Sequence, residues 1–387
     1  MTGNELRYIQ EAALIGKLSG NGEFTKRCQV FFENKYGFPK CFLTHSGTAS
    51  LEMAAILLDI QPGDEVIMPS FTFVSTANAF VLRGAKVVFV DSHEEQPNIN
   101  ESLIEEAITP KTKAIIVVHY AGYPCNMDYI VELAEAHGLK VVEDAAHAIG
   151  SFYKAKPLGS IGHLAAFSFH ETKNIHSGEG GLLVVNDLQF ANRAEVIWEK
   201  GTNRQAFFRG EVDKYSWIDV GSSFLPSEIT AAFLWAQLER LEEIQKTRNS
   251  IWEDYYFYFT NNEKNDFVLK SSYLKLFPKD LNEFLQACKS KGIEFNSNEV
   301  QKDIFENPIS KFSPNGHIFY LVMASEAIRS KYIELMKAQH IQCVFHYQSL
   351  HQSSYYLGLP GSNSRFLPNA EKFSKRLLRL PLFYELG

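Results

Sequence analysis

Residues 113–144, KAIIVVHYAGYPCNMDYIVELAEAHGLKVVED, decide the fold class of this chain. The stretch opens with an apolar run, Lys113–His119, and closes with a second one, Leu139–Asp144. Residues 127–137 between them predict a helix, and Gly138 follows as a C-terminal capping glycine would. Strands that are apolar on both faces are typical of sheets covered by helices, so the stretch predicts a strand–helix–strand unit of a parallel sheet.

The same alternation continues toward the N-terminus. Helices are predicted over residues 47–60, 75–82 and 102–108, and strands over residues 65–68 and 86–91. In the other direction, two apolar runs, HLAAFSFH (163–170) and GLLVVN (181–186), come close together around a glycine-containing loop and break the alternation. The expected fold class is therefore α/β, with a mostly parallel mixed sheet in a large domain.

The last third of the chain has a different character. A long helical pattern begins at Ser227 and extends past Trp252, and beyond Asn261 the sequence becomes rich in Asn, Lys and Ser. Predicted helices near 281–292 and 328–339 and strands near 318–323 and 342–347 follow. We therefore expect a large domain over residues 1–245 and a smaller α+β C-terminal domain over residues 246–387.

The composition excludes several classes of protein. Of 387 residues, 45% are hydrophobic and 21% are charged, which is unlike a disordered, collagenous or disulfide-scaffold chain. Lys plus Arg total 38 and Asp plus Glu total 45, a net charge of −7 without a basic block, so no nucleic-acid partner is expected. The 12 His residues lack metal-ligand spacing, so no metal site is expected.

The sequence also predicts a cytoplasmic location. Its 5 Cys are odd in number and widely spaced, without a C-x-x-C pair, which is typical of reduced thiols. The N-terminus, MTGNELRYIQEA, is polar and predicts no signal peptide. No run approaches the roughly 18 apolar residues of a membrane span, so no membrane association is expected.

Common catalytic motifs are absent from the sequence. It contains no G-x-x-x-x-G-K-[ST], no H-E-x-x-H, no G-x-S-x-G and no complete G-x-G-x-x-G. Three other segments remain, of which the first, THSGTAS (44–50), places glycine and hydroxyl residues directly before a predicted helix. Backbone N–H groups and the helix dipole suit a phosphate there, although ordinary helix capping explains the same residue types.

The second segment, VVEDAAH (141–147), puts Glu143 and Asp144 at the C-terminal end of a predicted apolar strand. Ligands of open α/β sheets bind at that end of the strands. A buried carboxylate there requires a cation or a hydrogen-bond donor as its partner. The alternative interpretation is an Asp that caps a helix after the strand.

The third segment, FSFHETKN (167–174), is followed by GEGG (178–181). Lys173 leaves an apolar strand five residues after Ser168. A lysine removed from water has a lowered pKa and can form an imine, whereas a solvated loop lysine is the alternative. Together, the three segments offer a phosphate site, a carboxylate for a ring nitrogen and an imine-forming amine, which pyridoxal 5′-phosphate (PLP) requires.

The sequence resembles the DegT/DnrJ/EryC1/StrS family of sugar aminotransferases, which are fold-type I PLP-dependent transferases. The resemblance covers nearly the whole chain and is carried by these stretches: THSGTASLEMAA (44–55), MPSFTFVSTANAF (68–80), VVEDAAHA (141–148), FSFHETKNIHSGEGG (167–181), KGTNRQAFFRGEVDKYSW (200–217) and LLRLPLF (377–383). It implies the fold-type I architecture and PLP as the cofactor.

The resemblance implies a role for each matching residue around the cofactor ring. Lys173 would hold the cofactor covalently and act as the catalytic base. Asp144 would pair with the pyridine nitrogen, and His147 would lie near the 3′-oxygen. Phe73 falls where an aromatic side chain stacks on the ring.

A second set of residues would hold the cofactor phosphate. The resemblance gives this role to Gly47, Thr48 and Ser168. Many relatives add an Asn from the other subunit, in a G-x-N-[YF] motif. The matching segment here is Gly221–Phe224, with Ser223 at the Asn position, so the resemblance implies a contact from Ser223 of the partner subunit.

The resemblance further implies a homodimer with shared active sites and a specific reaction. The amino group of L-glutamate would pass to C4 of TDP-4-keto-6-deoxyglucose, giving TDP-4-amino-4,6-dideoxygalactose and 2-oxoglutarate, in deoxyamino-sugar biosynthesis for lipopolysaccharide or another surface polysaccharide. Alternative acceptors are a 3-keto-6-deoxyhexose and a UDP-linked 4-keto sugar. A regulator that holds PLP without turnover is a further alternative.

The remaining expectations concern the type of reaction and the contacts with the sugar diphosphate. Relatives that dehydrate their substrate carry His in place of the lysine, so Lys173 argues against dehydration. The sequence leaves open whether His170, Arg204, Arg209 or His346 contacts the sugar diphosphate.

Overall fold

The computed structural model describes residues 1–260, 272–294, 304–306, 314–359, 362 and 365–386. The chain forms two compact units. The first unit contains Met1–Pro69, Phe73–Val90 and Asn98–Ile244, and the second contains Ser70–Thr72, Asp91–Pro97 and the described part of Gln245–Gly387. The main boundary in the chain therefore follows Ile244.

A mixed sheet forms the centre of the first unit. Its strands are β1 (Cys41–Thr44), β2 (Glu65–Pro69), β3 (Lys86–Val90), β4 (Thr112–Val118), β5 (Lys140–Asp144), β8 (Leu164–Ser168) and β9 (Gly181–Val185), and a separate hairpin consists of β6 (Phe152–Tyr153) and β7 (Lys156–Pro157). The sheet order is β1-β9-β8-β5-β4-β2-β3. Only β9 runs against the others, since it pairs antiparallel with both β1 and β8.

Helices connect these strands. They are α1 (Glu5–Ile15), α2 (Glu23–Tyr36), α3 (Gly47–Leu57), α4 (Val74–Val81), α5 (Met127–Ala136), α6 (Ala191–Trp198), α7 (Arg204–Phe208) and α8 (Glu228–Glu239). A further helix, α9 (Leu241–Thr260), begins in the first unit and continues in the second.

The strand–helix–strand unit predicted from residues 113–144 is present as β4, α5 and β5. β4 and β5 pair in parallel, and Ile115 of β4, Ile130 of α5 and Val141 of β5 share one buried cluster. Gly138 has a φ of +65°, the left-handed conformation that a glycine adopts without steric cost after a helix end. The prediction is confirmed because the apolar runs are buried on both faces of the sheet.

Two predicted helices differ from the observed structure. Residues 102–108 form two single 3-10 turns, Glu101–Leu103 and Glu105–Ala107, rather than a helix. Pro110 disfavours the helical conformation of Thr109, so a helix is not expected to continue past residue 108.

The long helix predicted from Ser227 is divided at Arg240 into α8 and α9. Arg240 leaves the helical conformation with φ −113° and ψ 17°. Its guanidinium donates to the carbonyl of Thr2 at 2.7 Å and forms an ion pair with Glu243. These contacts hold the break in place.

The second unit has an antiparallel sheet and its own aromatic core. The strands are β10 (Phe305–Glu306), β11 (Phe319–Met323), β12 (Val344–Phe345) and β13 (Leu377–Leu380), in the order β10-β11-β13-β12, and the helices are α10 (Leu281–Ser290), α11 (Glu326–Lys337), α12 (Ser354–Leu357) and α13 (Pro368–Arg376). Tyr255 and Phe259 of α9 stack on Phe319 of β11. The predicted fold class, α/β with a smaller α+β part, is confirmed.

Candidate active site

Three strand ends meet at one edge of the large sheet. Thr44, the last residue of β1, and Ser168, the last residue of β8, both pair with Gly181 of β9. Asp144, the last residue of β5, pairs with Ala166 of the neighbouring β8. Because these strands are parallel, their C-terminal ends lie at the same edge, where open α/β sheets bind ligands.

The N-terminus of α3 follows β1 at this edge, and glycines allow the backbone to approach closely. A Cβ atom on Gly47 would lie 2.8 Å from Cβ of Ser168, and one on Gly181 would lie 2.3 Å from the carbonyl oxygen of Ser46. Neither position has room for a larger residue. The side chain of Ser46 accepts the N–H of Ala49 at 3.0 Å, which starts the helix.

This helix start can hold a phosphate. The first N–H groups of a helix have no intrahelical acceptor, and the helix dipole adds positive potential. The structure brings Gly47 and Ser168 together, as predicted from the sequence. The hydroxyl of Thr48 lies 2.7 Å from that of Ser75 in the first turn of α4. Sequence reasoning missed Ser75, which shows only as a hydroxyl near the start of a predicted helix.

Asp144 is buried and has few donors. Its Oδ2 accepts the hydroxyl of Thr76 at 2.7 Å, and its Oδ1 accepts the N–H of Ala146 at 3.2 Å. Burial raises the pKa of Asp144, and the contacts with Thr76 and Ala146 and the charge of Lys173 only partly offset this. The carboxylate is therefore short of a positive partner. Sequence reasoning missed Thr76, whose role depends on the fold.

Lys173 lies in the turn after β8. Its backbone N–H donates to the carbonyl of His170 at 2.9 Å, which fixes the turn, and the residue is half-buried. Its positive charge acts on Asp144 and lowers the pKa of that carboxyl. The structure thus brings the predicted lysine and the predicted carboxylate into the same electrostatic site.

His147 and Phe73 flank the same strand ends in different ways. His147 is buried, its Nδ1 accepts the N–H of Ala121 at 3.2 Å, and its ring meets Tyr120 edge-on. Phe73 directly precedes α4, the helix that carries Thr76, and is 56% exposed. An aromatic side chain exposed next to the residues that support Asp144 can stack on a bound ring.

Glu143, the neighbour of Asp144, has a different environment. Its carboxylate lies 2.9 Å from Nε2 of His119 and accepts N–H groups from Gly159 at 2.8 Å and Gly162 at 2.6 Å. Burial raises the pKa of Glu143 most, but His119 and the two N–H groups together outweigh burial, so the pKa is lowered. Glu143 is fully paired inside the protein, so the two adjacent carboxylates do not share a role.

Ser223 lines a cavity of about 520 Å³ in the first unit, and the carbonyl of its neighbour Phe224 accepts the N–H of His45, close to the start of α3, at 2.9 Å. Four cationic residues and one acidic residue, Glu199, line the same cavity: Lys17, Lys26, Lys200 and Arg204. The lining has an excess of positive charge, which suits an anionic group.

The residues whose role the sequence left open have separate environments. Arg204 lines the cavity beside Ser223 and lies over the rings of Phe208 and Tyr215. Arg209 forms ion pairs with Glu195 and Glu211.

The two histidines of that group also differ. The Nδ1 of His170 lies 3.0 Å from the hydroxyl of Thr172, and His346 stacks on Tyr347 in the second unit. Of the four residues, only Arg204 lines the cationic cavity.

The chain matches the DegT/DnrJ/EryC1/StrS aminotransferase family over residues 1–309 and 281–387, which together span its full length. It is 32% identical over 369 residues to an uncharacterized protein of Methanocaldococcus jannaschii, covering 94% of this chain and 86% of that protein. The chain belongs to this family.

Two further relatives agree with the assignment. A GDP-perosamine synthase of Caulobacter vibrioides is 36% identical over 251 residues, covering 65% of this chain and 66% of that protein. The structure of Helicobacter pylori PseC, an aminotransferase involved in pseudoaminic acid biosynthesis, has a TM-score of 0.81 at 22% identity, covering 99% of this chain and 92% of that one. The second relative shows the common fold.

Membership of the family makes the chain a PLP-dependent aminotransferase, as predicted. The residues present fit that cofactor. The close approach of Gly47 to Ser168 leaves a backbone cradle that a side chain would fill. Asp144, buried with a raised pKa, is matched by a protonated ring nitrogen.

Among the residues that the structure describes, no helix is both long and apolar enough to span a membrane. In the same residues, no three His, Cys, Asp or Glu side chains are grouped so as to hold a metal ion.

Proposed function

We propose that this aminotransferase transfers the amino group of L-glutamate to C4 of TDP-4-keto-6-deoxyglucose, giving TDP-4-amino-4,6-dideoxygalactose and 2-oxoglutarate. The main support is Asp144, a buried carboxylate short of donors that feels the charge of Lys173. A sugar acceptor is supported by the relative that is a GDP-perosamine synthase. The nucleotide, the C4 position and the galacto product rest on the resemblance of the sequence stretches given above.

Asp144 holds a proton on the ring nitrogen of the cofactor. When bound, PLP supplies an electron-withdrawing ring that stabilises negative charge on the carbon next to the transferred nitrogen. A carboxylate hydrogen-bonded to the ring N–H keeps that nitrogen positive through a charge-assisted bond. Thr76 and Ala146 orient the carboxylate but do not neutralise it, so its charge remains available to the ring.

Lys173 moves the proton of the reaction. Its ε-amino group would remove the proton from the α-carbon of glutamate and deliver it to the cofactor side. The same group works in reverse when the keto sugar binds. Because one site serves donor and acceptor in turn, we expect ping-pong kinetics.

The remaining predicted residues orient the cofactor. Gly47 and Thr48 offer the N–H groups of the α3 start, and Ser168 offers a hydroxyl beside them. His147, whose Nδ1 accepts the N–H of Ala121, would lie near the 3′-oxygen of the cofactor. Phe73 would stack on one face of the ring.

A homodimer with shared active sites is supported by the surface next to Ser223. Six apolar side chains there are exposed, with Trp217 at 82%: Phe207, Phe208, Tyr215, Trp217, Ile218 and Val220. Exposed aromatic patches of this kind mark protein–protein interfaces, and a second copy of the chain is the partner that we propose. Ser223 and Arg204 at its border would then reach the active site of the partner.

Mixed dimers test this arrangement. Lys173→Ala is combined with a double variant, Ser223→Ala with Arg204→Ala, under conditions that exchange subunits. If sites are shared, the mixture is more active than the sum of the two parents, and each parent incubated with itself is the control. Fully active monomers in sedimentation would contradict the dimer.

The cationic cavity is the place that we propose for the diphosphate of the sugar nucleotide. Arg204→Ala should raise the KM for the nucleotide sugar about tenfold and leave the KM for glutamate unchanged, since a hydrogen bond to a charged group contributes about 1.5–3 kcal/mol. Arg209→Ala is the matched control, because Arg209 is engaged by Glu195 and Glu211. Equal effects of the two variants would remove the cavity from the substrate site.

Product analysis tests the acceptor. The enzyme is incubated with glutamate and TDP-4-keto-6-deoxyglucose, and the proton couplings of the product are measured by NMR. An axial amine at C4 gives a small H3–H4 coupling, as the galacto product requires, and an equatorial amine gives a large one. A large coupling contradicts the galacto assignment but leaves the transfer of the amino group to C4 in place. Product only from a 3-keto isomer or a UDP-linked 4-keto sugar would replace the acceptor.

Glutamate alone distinguishes an enzyme from a regulator that binds PLP. An aminotransferase loses the yellow colour of its cofactor when glutamate is added without acceptor, whereas a binding protein keeps it.

A cytoplasmic location is also proposed. It is supported by five free and buried cysteines: Cys28, Cys41, Cys125, Cys288 and Cys343.

A further inference from the structure

A second cavity, of about 370 Å³, lies within the second unit and contains a buried cation. Arg329 of α11 lines it together with Phe345 of β12 and Lys375 of α13. Only 9% of the surface of Arg329 is exposed. We call this space the Arg329 cavity.

The neighbours of Arg329 match its guanidinium only in part. Nη1 donates to the carbonyl of Ser374 at 2.9 Å, and Nη2 lies 3.5 Å from Oε1 of Glu326, at the limit of a hydrogen bond. Nε is buried and has no hydrogen-bond partner among the residues that the structure describes. A guanidinium is always charged and carries five N–H donors, so this group can still accept an anion.

The charge of Arg329 is also poorly compensated. Glu326 is the acidic residue of the lining, and its side chain is 58% exposed, so water weakens its pairing with the arginine. The Phe345 ring, with its centroid 5.6 Å from the guanidinium carbon, covers another side but carries no net charge. Burial lowers the pKa of Arg329, and Glu326 offsets this only in part.

The rest of the lining adds donors and no further acid. Lys375 contributes a second cation, whose ammonium lies 3.7 Å from a carboxylate oxygen of Glu371 outside the lining. Gln348 and Gln352 contribute amides, and Ser374 contributes a hydroxyl. Ligand pockets span roughly 300–1,000 Å³, so this cavity is of a size for a small metabolite.

We propose that the Arg329 cavity binds a small metabolite through an oxyanion group, a carboxylate or a phosphate. The oxyanion accepts from the guanidinium of Arg329 and from the ammonium of Lys375, and the body of the ligand packs on Phe345. All of the lining residues belong to the second unit, whereas Lys173 and Asp144 belong to the first. The proposal therefore stands whatever the amino acceptor is.

NMR of the PLP-loaded enzyme labelled at arginine Nε tests the site directly. The Arg329 Nε–Hε signal is assigned by its absence in Arg329→Lys, and inorganic phosphate and acetate are the two probes. We expect a saturable shift of this signal, and the probe that binds more tightly distinguishes a phosphate ligand from a carboxylate ligand. The local signal separates this site from any phosphate bound elsewhere.

Two matched variants on α13 carry the quantitative test. Lys375→Gln should weaken binding of the preferred probe roughly two- to fivefold, as for a partly exposed ion pair. The variant should fold like the parent, because this side chain is partly exposed. Lys372→Gln removes a cation from the same helix outside the lining and should leave the affinity unchanged. If Arg329→Lys does not fold, the difference in probe affinity between Lys375→Gln and Lys372→Gln still tests the site.

Two results would overturn the proposal. One is an Arg329 signal that stays in place with both probes at about 50 mM, above the range of weak millimolar binding. The other is an equal affinity of the preferred probe for the Lys375→Gln and Lys372→Gln variants, which would place the anion outside the cavity.

Discussion

Two adjacent carboxylates at the C-terminal end of strand β5 are both buried but have opposite environments. Glu143 and Asp144 are adjacent and both buried, yet the pKa of Glu143 is lowered and that of Asp144 is raised. Successive side chains of a strand point to opposite faces, so each carboxylate meets a different set of neighbours. Burial alone raises both pKa values, and only the donors decide the net direction.

The difference separates a carboxylate that the protein pairs fully from the one that we propose as functional. Glu143 has His119 and the N–H groups of Gly159, Ile161 and Gly162 around it, and it needs no ligand. Asp144 has two donors and the more distant charge of Lys173. A buried carboxylate that the protein leaves underpaired is where a cationic ring nitrogen can bind.

The largest loss of activity is expected when Lys173, whose charge acts on Asp144, is replaced. Lys173→Ala should lower kcat by at least roughly a thousandfold, because it removes the covalent attachment and the proton carrier together. The rate of cofactor bleaching by glutamate measures it, and Lys156→Ala, an exposed lysine of β7, is the control. A rate within tenfold of the parent enzyme would remove Lys173 from the mechanism.

Asp144→Asn should lower the rate with glutamate by roughly a hundredfold and leave the protein folded. An amide cannot stabilise a protonated ring nitrogen, which costs at least the roughly 1.5–3 kcal/mol of a charged hydrogen bond. A carboxyl with a raised pKa destabilises the fold once pH rises above its unfolded value, so the cofactor-free variant should melt no earlier than the parent at neutral pH. Earlier melting there would show that Asp144 is structural.

Glu143→Gln should give the reverse pattern. The uncharged amide accepts more weakly from the buried donors around it, and a hydrogen bond to a charged group contributes about 1.5–3 kcal/mol, so the free energy of unfolding should fall by about that amount. The rate per folded molecule should change little. Urea unfolding measures the free energy of unfolding, and activity divided by the active-site concentration gives the rate per folded molecule. A large rate loss without a loss of stability would break the comparison.

The pH dependence of stability extends the same test. A carboxyl with a lowered pKa stabilises the fold above its unfolded pKa of about 4.3, and this contribution is lost as pH falls through the folded value. The parent should therefore lose more stability than Glu143→Gln between neutral pH and the acid range. Parallel stability curves for the two proteins would contradict the lowered pKa.

The smallest effect is expected from the donor of Asp144. Thr76→Val should lower kcat/KM about tenfold, because it removes one hydrogen bond to a charged group while keeping the shape of the side chain. Thr230→Val makes the same change in the first turn of α8 and is the control. Since Thr76 lowers the pKa of Asp144, the variant should also need a higher pH for full activity. An unchanged pH profile would mean that Thr76 does not support the carboxylate.

The sequence by itself predicted the alternation of strands and helices in the large sheet, and it identified the candidate residues of the site. Apolar runs such as Lys113–His119 can only be buried on both faces, which predicts a parallel sheet covered by helices. Residue type and position made Lys173 and Asp144 candidates, and their proposed roles come from the family resemblance carried by the same stretches. Local signals of this kind depend on residues close together in the chain.

Only the tertiary structure decided which carboxylate is underpaired and which hydroxyl supports it. Thr76 lies 68 residues before Asp144, and the sheet order β5-β4-β2 brings them within 2.7 Å. The break at Arg240 depends on Thr2, 238 residues away in the sequence. The pKa of a buried group is the sum of burial and of donors from distant segments, so it exists only once the chain has folded.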